Sequence, residues 1–368
     1  MMILVLLKAV LIISIIAAFL AAVLSVSEYF LRNYGPCKIT INKDKDFTVD
    51  GGASLLSVLT DKKIFIPSAC GGKGTCGLCK VKALSGAGTL LPTEEPYLDE
   101  KEKAGNVRLS CQIRVRNDIE IEIPEELFNI REYTGKCTEI IDLTAEIKLF
   151  RFELIEPKEI SFTPGQYVQL MAPVYEKSSE EVYRAYSISS DPAQKDTIDL
   201  IIKFVPGGIC TTYCFKYLKV GDEVKFNGPY GEFCLTQNDS DMIFVAGGSG
   251  MAPFVSILHE MRNKKIKRKT AYYFGANNVD ELFLLDEMKQ FEKQLDDFKF
   301  VPVISRPKQN QNWKGQTGLV TEAVERNAKN ASEAEGYLCG SPGLIDASVK
   351  ILKKLGMPSN KIYYDKFA

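Results

Sequence analysis

The spacing of hydrophobic positions changes character three times along the chain. Residues 2 to 26 are apolar apart from Lys8 and scattered serines, and Ala9 to Val26 is 18 residues without a charge. Such a run predicts one membrane-crossing helix, with Lys8 snorkelling to an interface. A cleaved signal peptide is the competing reading, but its apolar region would be unusually long and Ala-Ala-Val-Leu-Ser is a weak cleavage site. Arg32, Lys38, Lys43 and Lys45 follow the run, against one lysine before it, which predicts that the bulk of the chain is cytoplasmic. Beyond residue 35 the apolar positions come in short alternating runs. Cys37 to Ile41 and Asp46 to Val49 read as a hairpin, Ser54 to Leu59 as a helix and Ile119 to Ile123 as a closing strand: a small α+β domain. Residues 129 to 237 hold the runs 135–141, 147–154, 167–171, 184–190, 197–204 and 223–227, punctuated by turn residues, which predicts an antiparallel barrel. From 238 the rhythm turns to alternating strand and helix. Strands at 242–246, 270–275, 299–304, 336–339 and 361–364 predict a doubly wound parallel sheet. The expected organisation is an anchor at 1–34 and domains at 35–128, 129–237 and 238–368.

Composition changes this picture little. Hydrophobic residues make up 45% of the 368 and charged residues 25%, as in ordinary globular protein. The 46 basic and 47 acidic residues leave a net charge of −1, so no basic field points to nucleic acid.

The cysteines change it a great deal. Cys70, Cys76 and Cys79 share one glycine-rich loop, with five and two residues between them, and Cys111 arrives after thirty-one more. Three thiolates in a loop and a remote fourth are what a ferredoxin-type domain supplies to a [2Fe–2S] cluster, here with five rather than four residues in the first gap. Gly71, Gly72, Gly74 and Gly77 let that loop take positive φ. Four cysteines also suit structural zinc, although zinc ribbons usually pair two Cys-x2-Cys knuckles and this chain has one. The other six cysteines form no disulfide framework, as expected in a reducing compartment.

Two further patterns suggest nucleotide cofactors. Arg184, Tyr186 and Ser187 on one predicted strand offer a cation for a flavin pyrophosphate, an aromatic ring and a hydroxyl for the reactive edge. Gly207, Gly208, Thr211 and Thr212 follow at a helix start, where phosphates bind. Gly247-Gly-Ser-Gly250 continues a predicted strand and opens a helix, the context of a phosphate-binding loop, although it is not Gly-x-Gly-x-x-Gly. Cys339-Gly340 ends a later strand, so both loops are expected to face one cleft. No arginine follows the strand ending at Gly275, which favours NADH over NADPH.

Arg-x-Tyr-Ser, Gly-Pro-x-Gly-Glu-Phe, Gly-Gly-x-Gly-x-Ala-Pro and Cys-Gly-x-Pro occur here in the order seen in the ferredoxin–NADP⁺ reductase superfamily. Across essentially its whole length, anchor included, the chain resembles the F-subunit family of sodium-translocating NADH:quinone oxidoreductases. The resemblance implies Cys70, Cys76, Cys79 and Cys111 as cluster ligands and Arg184, Tyr186 and Ser187 at FAD. It implies Gly247, Gly248, Gly250, Met251, Ala252 and Pro253 along NADH, Cys339 beside the nicotinamide, and Phe367 shielding the flavin ring. Ser187, Cys339 and Phe367 are thus the residues expected nearest the reacting atoms. The expected activity is hydride transfer from NADH to FAD, then single electrons to the cluster. The onward acceptors would be other membrane subunits of a respiratory complex in the bacterial inner membrane, reducing ubiquinone. Three positions depart from the family pattern: Ser341 replaces the first proline of Cys-Gly-Pro-Pro, and Lys366 and Ala368 turn the usual Asp-Asp-Phe-Gly ending into Asp-Lys-Phe-Ala. Two other readings stay open: a reductase component feeding an oxygenase, and a non-catalytic tethered metal protein.

Overall fold

A computed structural model describes residues 11–23, 34–308, 313–328 and 331–367. Residues 11–23 are helical and exposed throughout. Among the described residues no helix is long and apolar enough to cross a membrane. The span expected over 9–26 runs past this helix at both ends, so much of the expected anchor at 1–34 lies outside the described residues. Contacts divide the chain into two compact units, Met1–Ile66 with Gly72–Phe128, and Pro67–Gly71 with Asn129–Ala368.

In the first unit, β1 (Pro36–Ile41) and β2 (Lys45–Asp50) form the expected hairpin. β1 runs parallel to β5 (Ile119–Glu122). β3 (Lys80–Ser85) joins β5 antiparallel and carries β4 (Val107–Leu109) on its far side. Cys37, Ile39 and Ile41 alternate inward on β1, meeting Ile119 and Ile121. The Leu55–Asp61 helix buries Leu55, Leu56, Val58 and Leu59 in the same core. Ser54 starts that helix by accepting the Ser57 N–H, a cap that contributes about 1 kcal/mol.

The second unit combines the barrel and the parallel sheet. The barrel strands are β6 (Arg131–Asp142), β7 (Ile147–Glu156), β8 (Tyr167–Ala172), β9 (Val182–Ser187), β10 (Thr197–Lys203) and β11 (Glu223–Tyr230). They run antiparallel in the order β10-β7-β6-β11-β8-β9, and an Ile188–Leu200 bridge brings the two edges together.

The sheet holds β12 (Met242–Gly247), β13 (Thr270–Ala276), β14 (Phe298–Ile304), β15 (Gln316–Thr317), β16 (Glu335–Gly340) and β17 (Ile362–Lys366). All pairings are parallel, in the order β15-β14-β13-β12-β16-β17. Such a sheet is buried on both faces, and its residues divide accordingly. Phe244, Tyr272, Phe274 and Tyr337 pack under the Ala252–Lys264 and Leu285–Gln294 helices, where Ile147, Ile201 and Phe233 of the barrel region join them. Ile243, Val245, Tyr273 and Leu338 face the Val320–Asn327 and Pro342–Lys354 helices. Chain order reverses between β12 and β16, and such a switch point opens a crevice at the strands' carboxyl ends.

At the strands' amino ends a buried ion pair ties the segment leaving the barrel to the base of the sheet. Arg268 Nη2 donates to Glu335 Oε2 at 2.7 Å, and both side chains are almost wholly enclosed. Arg268 also holds the Ser240 and Thr236 carbonyls, while Thr236, Asn238 and Tyr337 donate to the Glu335 carboxylate. Burial alone would push Glu335 up. The hydrogen bonds from Thr236, Arg268, Asn238 and Tyr337 outweigh it and hold the carboxyl at about 2.

Candidate functional site

The two expected nucleotide loops meet at the switch point. Gly247 leaves β12 extended and Gly248 turns at φ +57° into the helical turn that opens the Ala252–Lys264 helix. Gly250 is there for proximity rather than for its dihedrals. A Cβ at this position would stand 2.3 Å from the Cys339 carbonyl oxygen and 3.1 Å from the Gly340 Cα. Gly340 lies under Gly247 with φ at +146°, a value that itself demands glycine. Met251 and Ala252 are buried in the core and Pro253 is buried at the helix start, so none of the three side chains is open to a nucleotide, and the Ala252 N–H is already given to the Ser249 carbonyl. Proline has no N–H to give and serves to start the helix.

The flavin candidates lie on and after β9. Ser187 is buried, while Arg184 and Tyr186 are half-buried on the other face, and Tyr186 packs on the barrel core. Burial pushes the Tyr186 phenol far up. Arg184 Nη1 donates to the Tyr183 carbonyl at 2.7 Å. Gly207 turns at φ +76° and Gly208 precedes the Ile209–Lys216 helix without any side-chain cap, which leaves N–H groups of the first turn for an anion. Thr211 is engaged elsewhere: its hydroxyl accepts from Val205 N and donates to Val205 O, both at 3.2 Å, clasping the turn. Thr212 starts the same helix and is buried.

A residue that sequence reasoning misses joins the two halves. Asp365, on β17 opposite Cys339 of β16, accepts a hydrogen bond from Ser187 Oγ at 3.3 Å. Neighbouring atoms enclose most of its carboxyl, though solvent still reaches it. Burial pushes that carboxyl up to about 6, with Ser187 pulling partly the other way. Burial also pushes the Cys339 thiol far up, and the Asp365 charge adds to this. Cys339 is therefore a neutral, fully enclosed thiol and no nucleophile. Phe367 packs on the sheet core, and its N–H donates to the Gly340 carbonyl at 2.9 Å. Ser187, Asp365, Cys339, Gly340 and Gly250 thus converge on one place.

The cysteine loop is built differently. Residues 64–79 form no strand or helix, and Gly71, Gly72, Gly74 and Gly77 all take positive φ. Cys70 is buried and lies on the short 67–71 segment grouped with the second unit. Within the first unit Cys79 and Cys111 are buried and lie within hydrogen-bonding reach, and Cys111 and burial together push the Cys79 thiol far up. Gln112 Nε2 donates to Cys111 Sγ at 3.5 Å. Leading into Cys111 is a buried fork. Arg108 gives Nε and Nη2 to Glu94 and Nη1 to the Ala87 and Gly88 carbonyls, while Glu94 also accepts the Leu91 and Leu109 N–H groups.

No three His, Cys, Asp or Glu side chains converge on a single ion among the described residues. A [2Fe–2S] cluster asks instead for thiolates in pairs, one pair to each iron, and Cys79 with Cys111 is such a pair. None of the ten cysteines is in a disulfide, and the Ser110 hydroxyl beside the pair is buried without a partner. Cys79 and Cys111 thus suit one iron of such a cluster, while Cys70 lies on the 67–71 segment and Cys76 is partly exposed in the same loop.

Three families match the chain: a 2Fe-2S iron-sulfur cluster binding domain over residues 39–116, an oxidoreductase FAD-binding domain over 134–234 and an oxidoreductase NAD-binding domain over 244–350. Among its relatives is the F subunit of the Na(+)-translocating NADH-quinone reductase of Neisseria meningitidis serogroup B, 33% identical over 96% of this chain and 97% of that one. The protein of the same name from Haemophilus ducreyi is 33% identical over 95% of each chain. Among solved structures the chain is similar to the Amycolatopsis cytochrome P450 reductase GcoB, with a TM-score of 0.72 and 27% identity over 90% of this chain and 98% of that one. The ferredoxin reductase in carbazole 1,9a-dioxygenase shares the fold, with a TM-score of 0.69 at 22% identity over 91% and 99%.

Proposed function

The chain belongs to the F-subunit family of Na(+)-translocating NADH-quinone reductases, and from that premise we propose that it is the electron-input component of such a complex. NADH is its substrate, and FAD and a [2Fe–2S] cluster are its cofactors. When bound, FAD takes a hydride from NADH and the cluster carries electrons onward one at a time. The observation that carries the reading is the convergence of Ser187 from the barrel with Asp365, Cys339 and the Gly247–Gly250 loop at the sheet's switch point.

Each residue has a physical task there. Arg184 neutralises flavin phosphate, and the bare helix start at Gly208 adds N–H groups. Tyr186 and Phe367 supply aromatic surface for the ring system. Gly247, Gly248 and Gly250 let backbone approach the nucleotide, and Cys339 closes the floor as a small neutral side chain. Ser187 presents its hydroxyl at the reacting edge, and Asp365 holds a proton behind it at acid pH. Cys70, Cys76, Cys79 and Cys111 hold the iron. Residues 1–34 tether these parts to the inner membrane, beside the subunits that accept the electrons, which raises effective concentration. A second reading, a soluble-acceptor reductase, draws on the likeness to the P450 reductase.

Anaerobic absorbance titration of the detergent-purified chain tests this directly. NADH is expected to bleach both a flavin band and a broad iron–sulfur band, with NADPH far less effective. Absence of flavin, or no bleaching by either nucleotide, overturns the proposal. A response mainly to NADPH moves it toward the second reading.

A further inference from the structure

Around Cys111 the polar side chains divide into those with partners and one without. Arg108 is spent on Glu94 and two carbonyls. Gln112 donates to Cys111 Sγ, and its own carbonyl accepts from the exposed Thr93 hydroxyl at 3.1 Å. Ser110 has both backbone groups satisfied, its N–H on the Cys79 carbonyl at 2.8 Å and its carbonyl on the Leu56 N–H at 3.1 Å. Its side chain is 0% exposed and its hydroxyl has no partner. The hydroxyl stands beside the Cys79 sulfur, on the residue next to Cys111. An unpaired buried hydroxyl costs about 1–3 kcal/mol, and alanine at the same place would cost nothing of the kind. The acceptor within reach is the sulfur of Cys79, a candidate cluster ligand.

We propose that Ser110 donates its hydroxyl hydrogen to a sulfur of the iron–sulfur cluster held by Cys79 and Cys111, and that this bond raises the cluster's reduction potential. The inference rests on the cluster reading above. Reduction adds negative charge to the cluster, so a donor aimed at its sulfur stabilises the reduced form more than the oxidised one. Burial strengthens the effect, since the surroundings have low dielectric and no water reaches the site to replace a lost donor. Gln112 is the instructive contrast. It is partly open and backed by an exposed threonine, so water can stand in for it. Of the two donors flanking Cys111, Ser110 is the one whose loss the cluster feels.

The test uses the full chain with its cluster assembled anaerobically, comparing wild type with S110A, S110T and Q112L. Iron and acid-labile sulfide are counted, the reduced cluster is recorded by electron paramagnetic resonance, and its midpoint potential is titrated by the same signal. S110A is expected to keep a full complement of iron while the reduced-to-oxidised ratio at the wild-type midpoint falls about tenfold, a downward shift of about 59 mV for one electron. S110T keeps the donor and stays near wild type, and Q112L shifts less than S110A. A fully assembled S110A cluster with wild-type potential and spectrum overturns the inference. If S110A assembles no cluster, S110T decides: an unchanged potential supports the donor, and a fall as large as that expected for S110A overturns it. Absence of a cluster in the wild type is a different failure, that of the underlying reading.

Discussion

From residue 64 to 79 the cysteine loop has no strand or helix, and glycines at positive φ carry it around. The candidate nucleotide cleft, by contrast, continues β12 and β16 directly, and Gly250 and Gly340 lock its two loops onto each other's backbone. One site borrows its shape from hydrogen-bonded strands. The other has little regular structure and relies on its metal cluster and on one buried ion pair beside Cys111. Losing the metal should therefore damage the first unit far more than losing FAD damages the second.

The sharpest way to break this comparison is Cys111→Ser. It is expected to abolish iron and sulfide content entirely while leaving NADH-driven flavin bleaching in place. Loss of flavin reduction as well would mean that the two sites are not independently built. Next is Glu94→Gln, which leaves Arg108 buried beside a neutral partner. A penalty of about 3–5 kcal/mol is expected for the first unit, read as a lower melting transition and faster cluster loss. Retained cluster at an unchanged melting point would remove the ion pair from the account.

The second unit has its own buried pair, and acid tests it. Glu335 is held low in the fold, so its contribution is present above its unfolded value and is lost as pH falls from about 4.5 toward about 2. The loss is on the order of 3 kcal/mol, seen as a falling melting temperature that Glu335→Gln flattens. Gly250→Ala is smaller. The added methyl meets the Cys339 carbonyl, and about 1–3 kcal/mol of strain should slow flavin reduction or raise the KM for NADH by tenfold or so; wild-type kinetics would mean that the loops give way freely. Smallest is Asp365. Its raised value means that the neutral acid is favoured at low pH and lost as pH rises through about 6. The rate of flavin reduction should bend there by a few-fold, and Asp365→Asn should remove the bend.

Much of the fold can be read from residue order because its signals are local. The β1–β2 hairpin, the helix expected from Ser54 and every barrel and sheet strand that alternates or runs apolar appear close to where the pattern puts them. β3 and β4 carry no such signal. Lys80–Ser85 buries only Val81 and Ala83, and Val107–Leu109 is three residues long, too short for any period. The four cysteines are legible from spacing. Asp365 is not, because its meaning comes from Ser187, 178 residues away. Its one clue is its place two residues before Phe367. The Glu94–Arg108 and Arg268–Glu335 pairs are hidden for the same reason: in the linear sequence they look like ordinary surface charges, and only the folded chain buries them. Ser110 stands out in the sequence only as the neighbour of Cys111, and only the folded chain buries its hydroxyl.

The Arg268–Glu335 knot also joins barrel and sheet mechanically. It fastens the barrel's exit segment to the base of the sheet, while Ser187–Asp365 fastens the barrel to β17 and Asp191 takes hydrogen bonds from Arg262 and Asn263. Barrel and sheet stitched at so many points should unfold together, in a single melting transition rather than two.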